Sequence, residues 1–224
     1  MKKSSVFLWG FFITSLTEIL ALAFEWHRVH EIAKPLILIL LLAYYLVSVS
    51  RRSKLFIIAL IFCWAGDVFL LFPSFFIGGL LSFLIGHVLY ILAYRQHQYP
   101  DTSESLMPTQ KVRFSFPIVL AGTGLIVILF PSLGELKIPV IIYAIVLMVM
   151  VMTSLFRYGR TTSGSFWMVF IGAALFMTSD SLLAINKFYA PFRFSGIFIM
   201  FPYIIAQYLI VAGILMHNSK VNEN

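Results

Sequence analysis

Two aspartates, Asp67 and Asp180, lie inside strongly apolar stretches of this chain. Each stands in a similar phrase, GDVFLL at residues 66–71 and SDSLLA at residues 179–184. A carboxylate in hydrocarbon is energetically costly and is seldom found there without a function. A buried carboxyl group tends to keep its proton, whereas one with hydrogen bonds or a nearby cation stays ionised, so a pair can divide into acid and base. The two aspartates are therefore candidate catalytic residues for acid-catalysed hydrolysis.

Further polar side chains are predicted on neighbouring helices and are candidates for substrate binding or support. At a depth similar to that of the aspartates are Glu18, Lys34, Asn186, Tyr203 and Gln207, and His87 lies deeper, near the middle of its helix. Tyr203 and Gln207 are four residues apart and share a helix face. Each also has a structural interpretation, since a lysine can extend to the headgroups and a lone histidine can be a hydrogen-bonded core residue.

Three alternatives to acid and base catalysis by the aspartates stay open. The side chains of Asp67, Asp180, Glu18 and His87 are of types that bind metals. A zinc hydrolase usually has several histidine ligands, and only His87 of the five histidines falls well within a predicted helix, so no metal or other cofactor is expected. A proton-coupled transporter also places carboxylates in the membrane. Finally, the aspartates could form structural ion pairs with Lys34 or His87.

The composition assigns the chain to the integral membrane proteins. Of its 224 residues, 61% are hydrophobic and 11% charged, and its mean hydropathy is +0.97. Eight apolar runs approach the roughly 20 residues that cross a bilayer as a helix. They lie at about 5–24, 35–50, 55–72, 75–94, 114–131, 138–156, 165–185 and 196–216. The sequence thus predicts an all-α bundle of eight transmembrane helices forming one domain, residues 1–224.

The distribution of lysine and arginine predicts the orientation, because cytoplasmic loops hold the excess of these residues. With the N-terminus inside, eleven of the 16 basic residues fall on inner segments and five on outer segments. Both termini are therefore predicted to be cytoplasmic. The net charge of +7 then reflects topology and requires no nucleic-acid partner. The expected location is the cell membrane, which in a bacterium is the inner membrane.

The order of features suggests a four-plus-four internal repeat. Asp67 lies in the third helix of the first half and Asp180 in the third helix of the second half. Pro35 and Pro139 are each predicted in the first turn of the second helix of their half, where a missing N–H is no loss. A repeat with an even number of helices is parallel, about an axis along the membrane normal. Small residues are assigned to helix packing: Gly78, Ser82, Gly86 and Gly172.

Several phrases in this order and spacing resemble the YhhN-type lysoplasmalogenases, a family of eight-helix membrane hydrolases. The phrases are Lys34-Pro35; Gly66-Asp67 with Leu70; Phe83 with His87 and Tyr90; Gly172-Ala173 with Leu175-Phe176; Ser179-Asp180 with Leu183-Ala184 and Lys187-Phe188; and Tyr203 with Gln207. The similarity covers nearly the whole chain and is weaker in the first helix. Glu18 is therefore a candidate from its depth and helix face alone.

The resemblance implies hydrolysis of the vinyl ether of a lysoplasmalogen, which yields a fatty aldehyde and glycerophospho-ethanolamine or -choline. It also implies that Asp67 and Asp180 are the catalytic pair. The expected partners are a lysophospholipid with an alkenyl chain and the surrounding membrane lipids. The sequence predicts neither the headgroup preference, nor which aspartate is the acid, nor the oligomeric state.

Overall fold

The computed structural model describes residues 3–100 and 102–221. All regular structure in this part of the chain is helical. It contains eight α-helices: α1 (Lys3–Ala23), α2 (His27–Ser48), α3 (Lys54–Phe69), α4 (Phe76–Gln96), α5 (Pro108–Leu129), α6 (Lys137–Leu155), α7 (Ser163–Ala184) and α8 (Ser195–Val221). Short 3-10 turns at Pro73–Phe75, Phe130–Ser132 and Gly134–Leu136 and a π turn at Ile185–Tyr189 lie between them. The predicted number and order of helices are confirmed.

Seven of the described helices are long and apolar enough to cross a membrane. The exception is α3, which has 16 residues and is about 24 Å long at ~1.5 Å per residue. The chain is a multi-pass helical membrane protein. Lys2 and the two chain ends, on which the predicted orientation partly depends, lie outside the described residues, so the orientation stays a prediction.

The predicted start of the second helix was wrong. Helix α2 begins at His27, so Lys34 and Pro35 lie in its interior and do not open it. Pro35 has no N–H, and the carbonyl group four residues earlier loses its partner within the helix. The turn before α2 includes Glu25 with φ +58°, after which the polar residues His27–Lys34 continue as helix. By contrast, α6 begins at Lys137 and has Pro139 in its first turn, as predicted.

The described chain divides into two compact units, residues 1–93 with a C-terminal tail from 218, and residues 94–217. In the first unit, α1 packs along α2. The side chains of Phe11, Ile37 and Leu41 are fully buried in this unit. The division falls close to the four-plus-four boundary, whereas the repeat and its axis stay predictions.

Helices α3 and α4 pack closely in the first unit because small residues face each other. A Cβ atom on Gly86 would lie 2.9 Å from Sγ of Cys63, and one on Gly66 would lie 2.6 Å from the Phe83 ring. The hydroxyl of Ser82 donates a hydrogen bond of 2.8 Å to the carbonyl oxygen of Phe62. The predicted packing roles of Gly86 and Ser82 are confirmed, and this contact fixes the end of α3 that carries Asp67.

In the second unit, α7 and α8 are in equally close contact. A Cβ atom on Gly172 would lie 2.9 Å from the carbonyl oxygen of Ala206. Two hydroxyls of α7 donate to carbonyl oxygens of α8, Ser165 to Gly213 at 2.7 Å and Ser179 to Ile199 at 2.8 Å. Gly172 is thus a packing residue, as predicted. The serine at position 179 also fixes the backbone beside Asp180.

A buried arginine links chain segments at the end of the second unit that is remote from Asp180. Arg157, between α6 and α7, is fully buried. It donates two hydrogen bonds to the carbonyl oxygen of His97, at 3.1 and 3.0 Å, and one of 2.9 Å to the hydroxyl of Ser165. Burial lowers the pKa of Arg157 to about 10, so the guanidinium is charged at neutral pH. It joins the segment after α4 to the first turn of α7.

Candidate active site

Asp180 is held by a tyrosine of the neighbouring helix. The Tyr143 hydroxyl on α6 donates a hydrogen bond of 2.5 Å to Oδ2 of Asp180 on α7. Both side chains are 8% exposed. A hydrogen bond to an ionised acceptor is short and about twice as strong as one between neutral groups. This contact orients the carboxyl group and stabilises negative charge on it.

Phe176, Tyr203 and Gln207 form a group that begins one turn before Asp180 on α7. Phe176 precedes Asp180 by four residues, and its ring packs edge-on against Tyr203 of α8, with centroids 5.3 Å apart at 82°. The Nε2 group of Gln207 donates to the Tyr203 hydroxyl at 3.3 Å. Tyr203 and Gln207 are both buried. The predicted pairing of these two residues on one face of α8 is confirmed.

The chain beyond Asp180 packs against an apolar cluster of the same unit. Leu129, Leu133 and Val140 form a buried cluster against which Ile185 and Phe188 pack. Asn186 belongs to the π turn that follows α7. Its Oδ1 accepts a hydrogen bond of 3.3 Å from the backbone N–H of Phe192. In the structure, Asn186 thus supports the connection from α7 to α8.

Asp67 lies in the last turn of α3 and is 2% exposed. Its neighbour Gly66 leaves space for the Phe83 ring of α4. That ring in turn stacks on the ring of His87, with centroids 6.4 Å apart at 25°. His87 is fully buried. In the first unit, Gly66, the residue before Asp67, thus lies against the Phe83 ring of the Phe83–His87 stack.

Glu18 has a partner that the sequence did not indicate. Its Oε1 atom lies 2.7 Å from Nδ1 of His30. The glutamate is fully buried and its Oε2 atom has no hydrogen-bond partner. Lys34 follows His30 by four residues on α2, which places both on one face, and it is 8% exposed. Glu18 and His30 thus form a polar pair between α1 and α2, and Lys34 is a buried residue on the same face of α2 as His30.

The described residues of neither unit contain a ready metal site. No group of three histidine, cysteine, aspartate or glutamate side chains lies close enough to hold an ion. Among the described residues, the metal-assisted alternative therefore finds no set of three such ligands. The side chains that the structure does bring together suit proton transfer and hydrogen bonding.

Sequence reasoning missed two residues of these groups, Tyr143 and His30. Tyr143 lies inside the apolar run at 138–156, which drew attention to no polar residue within it. A signal for it existed: Tyr143 lies about 9 Å along α6 and Asp180 about 6 Å before the end of α7, so antiparallel packing places them at similar depth. His30 was assigned to a helix end, and only the longer α2 places it opposite Glu18.

Comparison with known proteins identifies the family. The family model described as the YhhN family matches residues 29–214. This chain belongs to the YhhN family. The resemblance seen in the sequence phrases is thereby confirmed, and the matched region includes both aspartates and Tyr143. No solved structure matches the chain.

Several curated relatives of this YhhN-family chain are named lysoplasmalogenase. A protein of that name from Mycobacterium tuberculosis is 30% identical over 170 residues, 74% of this chain and 62% of the relative. The human lysoplasmalogenase TMEM86B is 29% identical over 157 residues, 70% of this chain and 62% of the relative. The bovine lysoplasmalogenase TMEM86A is 27% identical over 185 residues, 80% of this chain and 72% of the relative. The chain thus spans about three fifths of the length of the mycobacterial and human proteins.

Proposed function

We propose that this chain is a membrane lysoplasmalogenase that hydrolyses the vinyl ether bond of a lysophospholipid with an alkenyl chain. The observation that carries the proposal is membership of the YhhN family together with relatives named lysoplasmalogenase. The buried Tyr143–Asp180 hydrogen bond supports it, because vinyl ether hydrolysis requires a proton donor and a stabiliser of positive charge.

The proposed reaction has three steps. A carboxylic acid protonates the alkenyl carbon beyond the carbon attached to oxygen, and the ether oxygen and its neighbouring carbon become an oxocarbenium ion. Water adds to that carbon and loses a proton to a carboxylate, which forms a hemiacetal. The hemiacetal then collapses: the carboxylate left by the acid takes the hydroxyl proton, the protonated base gives its proton to the glycerol oxygen, and the bond between that oxygen and the former vinyl carbon breaks. The products are a fatty aldehyde and the glycerophospho-alcohol, and both carboxyl groups return to their starting states. One proton is supplied and one is returned, so acid and base catalysis account for the whole reaction.

We assign Asp180 as the carboxylate and Asp67 as the acid. A phenol that donates to Oδ2 of Asp180 stabilises the charge that an oxocarbenium ion needs beside it. Asp67 is 2% exposed, in the last turn of α3, where the negative end of the helix dipole disfavours further negative charge. In this proposal Asp67 donates the proton to the substrate, and Asp180 removes a proton from the attacking water.

The remaining polar residues have supporting roles in this proposal. Tyr203 and Gln207 form a hydrogen-bonded pair that suits a glycerol hydroxyl. Lys34, a buried lysine one turn after His30 on α2, suits the phosphate of the substrate. His87 supports Asp67 through the packing of Phe83. Asn186 acts indirectly, by holding the turn that follows Asp180.

The decisive experiment measures aldehyde release from lysoplasmenylethanolamine by the purified, detergent-solubilised protein. The variants are Asp67→Asn and Asp180→Asn. The matched control is Asp101→Asn, which changes the remaining aspartate of the chain. All are checked for folding by size-exclusion chromatography and thermal unfolding. Release by the wild type and the control, and loss in both other variants, is the expected result.

Other outcomes point to the alternatives. Release that survives both substitutions would move the chemistry to other residues. Activity that is lost with a chelator and restored by added ion would support a metal-assisted hydrolase. A folded wild-type protein that releases no aldehyde would be tested for proton or solute movement in liposomes, which a transporter would show without changing the lipid.

A further inference from the structure

A pocket lies in the second unit, near the end of α7 that is remote from Asp180. It has a volume of about 440 Å³ and lies between the 103–107 segment and the first turns of α5 and α7. Trp167, on its wall, precedes Asp180 by 13 residues of helix, or about 20 Å. This is the predicted cytoplasmic end of the unit. The pocket is therefore separate from the proposed catalytic residue of the same unit.

Aromatic rings at steep angles form one side of this pocket. The Phe166 ring meets Tyr158 at 86° with centroids 5.2 Å apart, and Trp167 at 64° with centroids 5.0 Å apart. Tyr158 and Trp167 are about half exposed, whereas Phe166 is buried behind them. The faces of such rings carry partial negative charge and attract cations within about 6 Å. This wall therefore favours a cationic ligand group.

The lining of the pocket also contains a carboxylate, on a turn held by contacts with the chain after α6. Glu104 is the charged residue of the pocket lining. The turn that contains it is fixed by the Thr102 hydroxyl, which donates a hydrogen bond of 2.8 Å to the carbonyl oxygen of Gly159. Gly159 has φ +68°, and a Cβ atom there would lie 2.2 Å from the carbonyl oxygen of Glu104. The lining therefore has a formal charge of −1, and Glu104 is held close to the aromatic wall.

The floor of the pocket and its surroundings suit a lipid. The buried cluster of Leu106, Leu155 and Phe166 lies beneath it. On the α5 side, the guanidinium carbon of Arg113 lies 4.9 Å from the centroid of the Phe114 ring, which lines the pocket. A carboxylate with aromatic walls, an apolar floor and a neighbouring guanidinium match the ammonium, chain and phosphate of a zwitterionic phospholipid.

We propose that this pocket binds the alkylammonium headgroup of a zwitterionic membrane phospholipid, with the ammonium between Glu104 and the Tyr158–Trp167 wall and the phosphate towards Arg113. The aromatic wall suits a quaternary ammonium, which has no N–H groups and binds through the faces of the rings. The site is independent of the proposed hydrolase function. It retains an intact phospholipid and takes no part in the chemistry at Asp180.

The test is native mass spectrometry of delipidated protein in detergent, offered equimolar dioleoyl phosphatidylcholine, phosphatidylethanolamine and phosphatidylglycerol. The wild type is expected to retain one phosphatidylcholine at least about fivefold over phosphatidylglycerol, with phosphatidylethanolamine between them. Glu104→Gln and Trp167→Leu should each remove most of this preference. The matched controls are Glu135→Gln, an exposed acid elsewhere in the unit, and Trp26→Leu, an exposed tryptophan of the first unit. Both controls should keep the preference.

Two results would overturn the proposal. Equal retention of phosphatidylcholine and phosphatidylglycerol by the wild type would show that the pocket does not select an ammonium group. A preference that persists in the Glu104→Gln, Trp167→Leu double variant would place lipid selection elsewhere. Aldehyde release from lysoplasmenylethanolamine should stay at the wild-type level in both single variants, so failure of this proposal is distinguishable from failure of the proposed hydrolase function.

Discussion

Replacing Tyr143 with phenylalanine tests whether the hydrogen bond to Asp180 serves the proposed chemistry. The substitution removes one oxygen atom and keeps the ring that packs between α6 and α7. The lost contact is 2.5 Å long and joins two side chains that are each 8% exposed. Water therefore cannot readily replace the phenol as a donor.

The size of the effect follows from the type of bond. A hydrogen bond to a charged group contributes about 1.5–3 kcal/mol. If the bond stabilises the carboxylate mainly when the oxocarbenium ion forms, its loss raises the barrier by that amount and lowers kcat about 10- to 150-fold. Because Tyr143 is a positioning residue in this proposal, KM should change little. Asp180→Asn should have a larger effect, since it removes the carboxylate itself.

The assay is the dependence of aldehyde release on lysoplasmenylethanolamine concentration, fitted for kcat and KM separately. Tyr45→Phe is the matched control, because Tyr45 is also buried and its hydroxyl accepts a hydrogen bond of 3.3 Å from the backbone N–H of Ser53, in the first unit. A Tyr143→Phe enzyme whose kcat equals that of Tyr45→Phe would refute the role of the hydrogen bond. So would a loss confined to KM.

Three further predictions concern stability, measured by thermal unfolding in detergent. Gly134→Ala should cost about 1–2 kcal/mol from its φ of +52° alone, whereas Gly159→Ala should lower Tm further, because its Cβ atom would also clash with backbone at 2.2 Å; equal losses would contradict this. Gly86→Ala should lower Tm through its 2.9 Å approach to Cys63, and adding Cys63→Ala should restore part of the loss. Arg157→Ala should cost about 1–3 kcal/mol, because it leaves the buried carbonyl oxygen of His97 without its side-chain donors. Burial lowers the pKa of Arg157 to about 10. The unfavourable free energy of burying this cation is therefore present at pH values below that pKa and is relieved only as pH rises above it. The difference in Tm between wild type and Arg157→Ala should thus be constant around neutral pH.

The number of helices was predictable because hydrophobic runs of membrane length are a strong signal. The ends of the helices were less predictable. Helix α5 begins at Pro108, six residues before the predicted start at 114, and Met107 caps it by donating its backbone N–H to Gln110 at 2.8 Å. Helix α2 begins eight residues before the predicted start at 35. Hydropathy marks the apolar layer that a helix crosses, and these helices extend beyond it through polar residues.

The candidate site was predictable in part for the same reason. A carboxylate in an apolar helix stands out from its surroundings, so Asp67 and Asp180 were found and both are buried. Glycines at close helix contacts were also recognisable from residue size, as Gly86 and Gly172 show. The partners of the carboxylates were not, because Tyr143 and His30 come from other helices. Their identity depends on how helices are rotated against each other, which one sequence does not specify.

The position of each aspartate within its helix explains why such a partner is needed. Asp67 lies two residues before the end of α3, and Asp180 lies inside a helical segment that continues from α7 through the π turn to Tyr189. Both inside a helix and at its C-terminal end the backbone N–H groups are already hydrogen-bonded, so they offer a carboxylate no donors. A negative charge there must be stabilised by a donor from a neighbouring helix. Tyr143 provides that donor for Asp180, and this hydrogen bond, more than burial alone, supports the proposed role of Asp180 as the carboxylate.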